Sequence, residues 1–141
     1  RREGLPVSFE AYLSAGQPGV ALQVAAAATR LAPIAPERVS AARALAESRL
    51  LDAAATDQQR LDAVTGINQL VASGGAPWSP KTLTAARAVM RASAARWLDA
   101  ALKQTDPAAR AYHLDWALSQ AEFAKDAALL KRVKAAREAR P

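Results

Sequence analysis

The chain has 141 residues, one histidine, seven aromatic residues and no cysteine, a length that suits one domain with its own core. Its apolar share is 51%, but 38 residues are alanine, while valine and isoleucine number eight and two. β-Sheets use Val, Ile and aromatic residues, and alanine is the strongest helix former. Composition therefore excludes a β architecture and predicts an all-α chain. The lack of cysteine excludes disulfides, cysteine-ligated zinc and thiol nucleophiles.

The net charge of +6 is placed unevenly along the chain. Residues 1–80 carry seven Lys/Arg and seven Asp/Glu, whereas residues 81–141 carry twelve and six. A one-sided positive field favours acidic partners such as nucleic acid, anionic lipid or an acidic protein face. The alternative is a solvated, Arg-rich helical surface of a protein from a high-GC bacterial genome.

No stretch approaches the roughly 20 apolar residues that a membrane span needs. The sequence starts without methionine and without a hydrophobic signal segment. We therefore expect a soluble piece of a larger protein, which is either cytoplasmic or the soluble part of a membrane-anchored envelope protein.

Glycine, proline and helix-capping residues divide the chain into six or seven predicted helices joined by short turns. In chain order, the predicted helices cover about 8–15, 18–31, 37–54, 57–73, 80–105, 107–121 and 125–139. The last two are either separate or continuous, because no obligate helix breaker lies between them. The predicted N-caps are Ser8, Thr56 or Asp57, Ser79 and Asp106, and the last two each precede a proline at the first helical position.

Apolar residues at three- and four-residue spacings predict the buried face of each helix. The predicted faces are Val20, Val24, Ala27, Ala28 and Leu31 on the second helix, Val39, Leu45, Leu50 and Leu51 on the third, Leu61, Val64, Ile67, Leu70 and Val71 on the fourth, and Leu83, Ala86, Met90, Ala94, Trp97 and Ala101 on the fifth. Short connections make neighbouring helices antiparallel. The sequence thus predicts one all-helical domain over 1–141, built as stacked helical hairpins or as a compact right-angle bundle. The 73–80 loop is its strongest internal break.

The first two predicted helices contain an aromatic residue, a glycine before the turn, two small residues and a closing proline. These residues are Tyr12, Gly16, Ala21, Ala28 and Pro33. Their order and spacing resemble the later part of a tetratricopeptide repeat (TPR) over about residues 5–33. Ser8 and Phe9 stand in place of the family's Leu-Gly pair, and Ala25 replaces its usual large aromatic. The resemblance implies TPR-like helical hairpins that stack into a concave surface for peptides or partner proteins, without catalysis.

Catalytic and metal-binding patterns are missing from the sequence. His113 is the only imidazole and lies in mid-helix, where Asp115 faces elsewhere and Trp116 falls on the same side. This pattern predicts a half-buried packing residue. No helix carries a carboxylate–histidine pair at metal-ligand spacing, and the glycine pair at 74–75 lacks the Lys-Ser/Thr of a phosphate loop. We therefore expect no enzyme activity, no metal and no cofactor.

Four residues are the predicted contacts for a ligand peptide if the hairpins stack: Tyr12, Trp78, Arg87 and Arg91. Trp78 lies in the loop before the fifth helix and either folds back as a staple on that helix or anchors a partner. Trp97 and Trp116 are expected to lie on apolar faces and to anchor the packing of the last helices.

The C-terminal stretch is basic and amphipathic. Its basic surface consists of Lys125, Lys131, Arg132, Lys134 and Arg137, and its apolar side of Ala127, Leu129, Leu130, Val133 and Ala136. Such a helix suits phosphate or anionic lipid, although cations near a helix C-terminus also complement the helix dipole. No aromatic residue follows Phe123, so base stacking has little support there.

These patterns together predict a non-catalytic interaction or scaffold domain of a bacterial protein, which presents a helical groove to an acidic or peptide-like protein partner. The alternative is a nucleic-acid-binding helical domain that uses the basic C-terminal half.

Overall fold

The computed structural model describes residues 4–28 and 33–139 of the chain. Within these residues the chain forms seven helices and no strand, which confirms the all-α class. The helices are α1 (Gly4–Ser14), α2 (Pro18–Ala28), α3 (Pro36–Leu51), α4 (Asp57–Ala72), α5 (Pro80–Leu102), α6 (Pro107–Ala124) and α7 (Ala127–Glu138). The predicted end of the second helix at Leu31 lies outside the described residues.

Helix starts follow the capping signals of the sequence at three of the four predicted positions. Thr56 begins α4 with a capping box, in which its hydroxyl accepts from the Gln59 N–H and the Gln59 side chain accepts from the Thr56 N–H. The Asp106 carboxylate accepts from the Ala109 N–H and begins α6. Ser79 Oγ accepts from the N–H of Thr82 at the start of α5, at 3.3 Å.

The predicted cap at Ser8 is wrong, because α1 begins at Gly4 and Ser8 lies inside the helix. The extra turn contains Pro6, which lacks an N–H. Proline is tolerated in the first helical turn because the N–H groups there have no intrahelical partner.

Three helices end in the same hydrogen-bond pattern, with a left-handed residue just beyond the helix. The left-handed residues are Gly16 after α1 (φ +75°), Gly74 after α4 (φ +98°) and Lys125 after α6 (φ 52°). Lys125 therefore separates α6 from α7, and Asp126 starts α7 by accepting the Leu129 N–H. The two last helices are thus separate rather than continuous.

The chain divides into two units, Arg1–Ala85 and Ala86–Pro141, which we call unit 1 and unit 2. The division falls inside α5, a few residues beyond the 73–80 loop. Unit 1 holds α1 to α4 and the start of α5, and unit 2 holds the rest of α5 with α6 and α7.

In unit 1, α2 packs against α1, α3 and α4. The approach to α4 is close enough to require two glycines. A Cβ on Gly19 would lie 2.6 Å from the backbone nitrogen of Ala63, and a Cβ on Gly66 would overlap the carbonyl oxygen of Gly19. Backbone atoms cannot move aside as a flexible side chain can, so both positions must remain without a side chain.

Small residues therefore fill much of this core. On several helices the face that is buried differs from the predicted one. The buried apolar residues of unit 1 are Phe9, Ala21, Leu22, Ala25, Ala28, Ala42, Ala46, Leu50, Ala55, Ala63, Val64 and Ile67. The predicted face of the second helix is wrong at Ala27, which is exposed, while Val20 and Val24 are only half-buried. On α3, Leu50 is buried as predicted, but Leu45 and Leu51 are exposed, and Ala42 and Ala46 take the other buried positions.

Arginines of α3 fasten this helix to other segments of unit 1. Arg38 donates two hydrogen bonds to the Glu10 carboxylate of α1, at 2.9 and 2.8 Å. Arg43 donates to the carbonyl oxygens of Ala76 and Pro77 in the loop before α5. The hydrogen bond from Arg38 lowers the pKa of Glu10 from its ordinary value of 4.5, and the same bond raises the pKa of Arg38.

In unit 2, α5, α6 and α7 share a core in which alanine is the most frequent residue. The core residues are Ala94, Leu98, Ala101, Leu114, Ala117, Ala121, Leu129, Val133 and Ala136. Buried at its edge, Arg110 donates to the carbonyl oxygens of Ala101 and Ala136, at 3.1 and 3.2 Å. These carbonyls lie in the last turns of α5 and α7, where the helix dipole is negative. The Ala101 carbonyl also accepts from the Gln104 N–H, at 3.1 Å. Arg110 thus joins two helix ends.

We expect Gly66→Ala to lower the free energy of unfolding of the chain by at least about 2 kcal/mol, because the new methyl group overlaps backbone. The better helix propensity of alanine, about 1 kcal/mol, offsets only part of this loss. Urea unfolding followed by circular dichroism measures the change. The matched control is Asn68→Ala, an exposed position of the same helix. Equal stability of the two variants would contradict the close contact between α2 and α4.

Arg110→Met is expected to lower the free energy of unfolding by about 2–3 kcal/mol, since it removes two hydrogen bonds from a charged donor to buried acceptors. The free energy of unfolding of Arg110→Lys should lie between those of Arg110→Met and the wild type, because one ammonium group spans the two carbonyls less well. Urea unfolding followed by tryptophan fluorescence tests both. Arg132→Met, at an exposed position, is the control, and an unchanged Arg110→Met stability would refute the role of Arg110.

Candidate partner-binding site

Four ring side chains of unit 2 form a group on α5 and α6, which we call the aromatic cluster: Trp97, Tyr112, His113 and Trp116. The ring centroid of Trp97 lies 5.2 Å from that of His113 and 6.2 Å from that of Trp116. The centroids of Tyr112 and Trp116 are 6.4 Å apart. All of these fall within the roughly 4.5–7 Å at which aromatic rings attract one another. The rings therefore fix each other's positions.

The orientation of the rings produces a corner. The planes of Trp97 and Trp116 differ by only 19°, so these rings are stacked. The Tyr112 ring is nearly perpendicular to both, at 79° to Trp97 and 73° to Trp116, in T-shaped pairs. We call the angle between the Tyr112 and Trp116 rings the ring corner. It offers two aromatic surfaces, nearly at right angles, to one side chain of a ligand.

The ring corner is open to solvent within unit 2. Tyr112 is 57% exposed and Trp116 45% exposed, whereas Trp97 and His113 are half-buried behind them. Trp116 was expected to anchor helix packing: its ring stacks on Trp97 of α5, but nearly half of the residue is exposed. A group of exposed large aromatics is unusual on a protein surface and is typical of interaction sites.

The composition of the core explains why these rings lie outside it. Ala94 and Ala101 of α5 and Ala117 and Ala121 of α6 are fully buried members of the unit 2 core. Helices that meet through alanine approach at the near end of the usual distance range, which leaves no space for a ring. Tyr112 and Trp116 therefore occupy the rim of the contact.

Polar groups beside the rings are few. His113 is half-buried, as the sequence predicts, but its ring packs against Trp97 and Tyr112 and not beside Trp116 as expected. Its Nδ1 is buried without a hydrogen-bond partner among the described residues. Asp115, on the same helix as the ring corner, lies 3.6 Å from Arg137 of α7, oxygen to nitrogen. The rings of the site can thus bind an apolar side chain of a ligand. Its margin can bind polar backbone or charged groups of the same ligand.

The predicted contacts Tyr12 and Trp78 both lie in unit 1. Tyr12 is 40% exposed on α1, and Trp78 is half-buried in the loop before α5. The carbonyls of Ala76 and Pro77, which directly precede Trp78, accept hydrogen bonds from Arg43, so this loop is fixed to α3. An open groove between α3 and the loop has Arg43 in its wall, already bonded to the protein.

The predicted contacts Arg87 and Arg91 lie in unit 2. Arg91 is half-exposed, and its Nε lies 3.1 Å from the Asp126 carboxylate, which also caps α7. A partner carboxylate would have to compete with this ion pair. Arg87 is half-buried, and its Nε is buried without a hydrogen-bond partner among the described residues. Because two of the four predicted contacts belong to each unit, their use as one site stays a prediction.

The predicted basic surface is exposed at each of its five members, Lys125, Lys131, Arg132, Lys134 and Arg137. Lys131 and Lys134 border a shallow depression of α7 that also contains Leu130. In the described part of the chain, Arg137 has an ion pair, with Asp115, while Lys131 and Arg132 have none. Of the predicted apolar side of α7, Leu129, Val133 and Ala136 are buried and Leu130 is half-buried, whereas Ala127 is exposed.

Residues 4–28 and 33–139 show neither a metal-ligand cluster nor a membrane-spanning helix. Among them, no three His, Asp or Glu side chains converge as metal ligands would. None of the helices described has both the length and the apolar character needed to cross a bilayer.

Comparison of the chain with protein-family models, with curated proteins and with solved structures found no match.

Sequence reasoning missed Tyr112 and Trp116 as surface residues, although a signal for them exists. Leu114, Ala117 and Ala121 follow three- and four-residue spacing and define the buried side of α6. Tyr112 and Trp116 fall one turn apart, outside this stripe, and so share the exposed side. If the alanines of α6, and not its largest apolar residues, are assigned to the core, the sequence pattern places Tyr112 and Trp116 on the surface.

We expect Trp97→Ala to lower the free energy of unfolding by about 2 kcal/mol, because this ring is half-buried under the cluster. Trp116→Ala should lower it by about 1 kcal/mol or less, because much of its ring is already exposed. Urea unfolding followed by circular dichroism compares the two. A larger loss for Trp116→Ala would mean that Trp116 is a packing residue and not a surface anchor.

Proposed function

We propose that the chain is a non-catalytic, TPR-like interaction domain, and that the aromatic cluster of unit 2 binds a partner protein. The observation that carries the proposal is the exposure of Tyr112 and Trp116, 57% and 45%, in rings held in place by contacts with Trp97 and His113. Tyrosine and tryptophan dominate binding energy in protein interfaces. Rings that are already ordered lose little conformational freedom when a partner binds.

Covering the exposed ring surface of the ring corner with a partner is favourable in free energy. A Trp or Tyr side chain buries roughly 150–250 Å² when it is fully covered. At about 25 cal/mol per Å² of apolar surface, covering the exposed parts of two such rings contributes on the order of several kcal/mol. That is enough for a hot spot, provided that the partner fits the corner.

The resemblance of residues 5–33 to a tetratricopeptide repeat supports the same class of function. In unit 1, α1 and α2 form a hairpin around Gly16, whose φ of +75° suits the tight turn. Ala21 and Ala28 are fully buried in this hairpin, as the close packing of such a repeat requires. Proteins of that family bind partners without catalysis, which agrees with the proposal.

A second candidate function, nucleic-acid binding, is favoured by Lys131, Arg132 and Lys134, which are exposed cations on one helix. Phosphate contacts of this kind would make binding fall steeply with salt. Against this function, α7 carries no aromatic residue for base stacking, and the cations lie on the solvent side of an ordinary amphipathic helix.

The proposal predicts that the ring corner decides peptide binding. Peptides selected from a random display library against the wild-type chain should bind the double variant Tyr112→Ser/Trp116→Ser at least about tenfold more weakly, a loss of about 1.4 kcal/mol. Circular dichroism confirms that the variant is folded, and isothermal titration calorimetry measures the affinities. Leu45→Ser is the matched control, because Leu45 is 49% exposed and lies in unit 1.

Selected peptides that bind the double variant as well as the wild type would refute the proposal. Fluorescence anisotropy with labelled duplex DNA at roughly 50 and 200 mM salt tests the second candidate in parallel. Tight, salt-sensitive DNA binding that the double variant retains would favour the basic surface over the aromatic cluster.

A further inference from the structure

We infer that the segment bound at the aromatic cluster is an extended, proline-containing stretch with flanking carboxylates. This inference rests on the proposed function and specifies the chemistry of its partner. Three observations carry it: the angle of the ring corner, the charge of unit 2 and the exposure of the rings.

The angle of the ring corner selects a compact, rigid side chain. Tyr112 and Trp116 meet at 73° with their centroids 6.4 Å apart, so a side chain in the corner touches two ring surfaces at once. Proline fits such a site because its pyrrolidine ring presents C–H groups on several sides. Proline segments are also extended before they bind, so ordering them loses little entropy.

The same angle argues against a stack of nucleic-acid bases. Successive bases need ring surfaces that are nearly parallel to one another. Tyr112 lies at 73° to Trp116 and at 79° to Trp97, so a base stacked on one of these tryptophans is nearly perpendicular to the tyrosine ring and cannot stack on it as well. The parallel pair, Trp97 and Trp116, already stacks on itself, and Trp97 is half-buried.

The charge of unit 2 selects the residues that flank the proline. Residues 86–141 contain eleven Lys/Arg and six Asp/Glu, which leaves a net charge of +5. Lys103 directly follows α5 and is exposed. Asp115, which lies next to Trp116, is paired with Arg137 at 3.6 Å. A positive field of this kind attracts carboxylates and repels cations, including methylated ammonium groups that aromatic sites otherwise bind.

Synthetic peptides test the inference directly. In the first peptide, proline pairs alternate with single glutamates; the second replaces proline with alanine, and the third replaces glutamate with lysine. We expect the first to bind the full chain, and the second and third to bind at least about tenfold more weakly. Calorimetry gives the affinities, and tryptophan fluorescence reports contact with the cluster. The double variant Tyr112→Ser/Trp116→Ser should lose binding of the first peptide, and Leu45→Ser should keep it.

Other outcomes overturn the inference without ambiguity. If library-selected peptides depend on the ring corner but the proline–glutamate peptide does not bind, the inference is wrong and the proposed function stands. If neither binds at the ring corner, both are wrong. Oligothymidine that binds through the ring corner more tightly than the first peptide would also overturn the inference, by assigning the rings to bases. Tighter binding of vesicles of phosphatidylserine and phosphatidylcholine would overturn it by assigning the rings to a membrane surface.

Discussion

Helix contacts made by alanine and glycine are the constraint on which the rest of this structure depends. In unit 1, α2 and α4 approach until a single added methyl group at Gly66 would overlap the backbone of Gly19. In unit 2, five of the nine core residues are alanine. Such contacts bury little apolar area per residue, so they stabilise the fold only when the helices lie close and many atoms touch. Polar groups at the helix ends then matter more than usual, as Arg110 illustrates.

The same constraint accounts for the position of the candidate site. Large side chains do not fit between helices that meet through alanine, so they pack at the rim or remain in water. Leu45 and Leu51 illustrate this in unit 1, and Tyr112 and Trp116 in unit 2. On α6, two such residues fall one turn apart beside the Trp97 ring, which holds them in place. Close packing inside thereby leaves an ordered aromatic surface outside.

Local signals in the sequence predict the helices well because capping and turn formation are local. Asp106 before a proline and Thr56 three residues before Gln59 each satisfy N–H groups within one turn, whatever the tertiary fold. Ser8 misled because an equally good cap residue can lie inside a helix when Pro6 allows an earlier start. The separation of α6 from α7 depends on Lys125 in a left-handed conformation, which a non-glycine residue adopts rarely.

The buried faces and the site were harder to predict because they depend on packing between helices. Periodicity read from the largest apolar residues places Val20 and Val24 in the core, but the structure buries Ala21 and Ala25 instead. The four predicted partner contacts, Tyr12, Trp78, Arg87 and Arg91, stay a prediction, and two of them lie in each unit.

Photochemically induced dynamic nuclear polarisation NMR measures the exposure of these rings in solution, because it detects tyrosine, tryptophan and histidine side chains that a dye can reach. The account predicts strong signals from Tyr112 and Trp116, assigned through Tyr112→Phe and Trp116→Phe, and a weaker signal from Trp97. Strong polarisation of Trp97, with silent Tyr112 and Trp116, would contradict the proposed packing and with it the ring corner as a binding site.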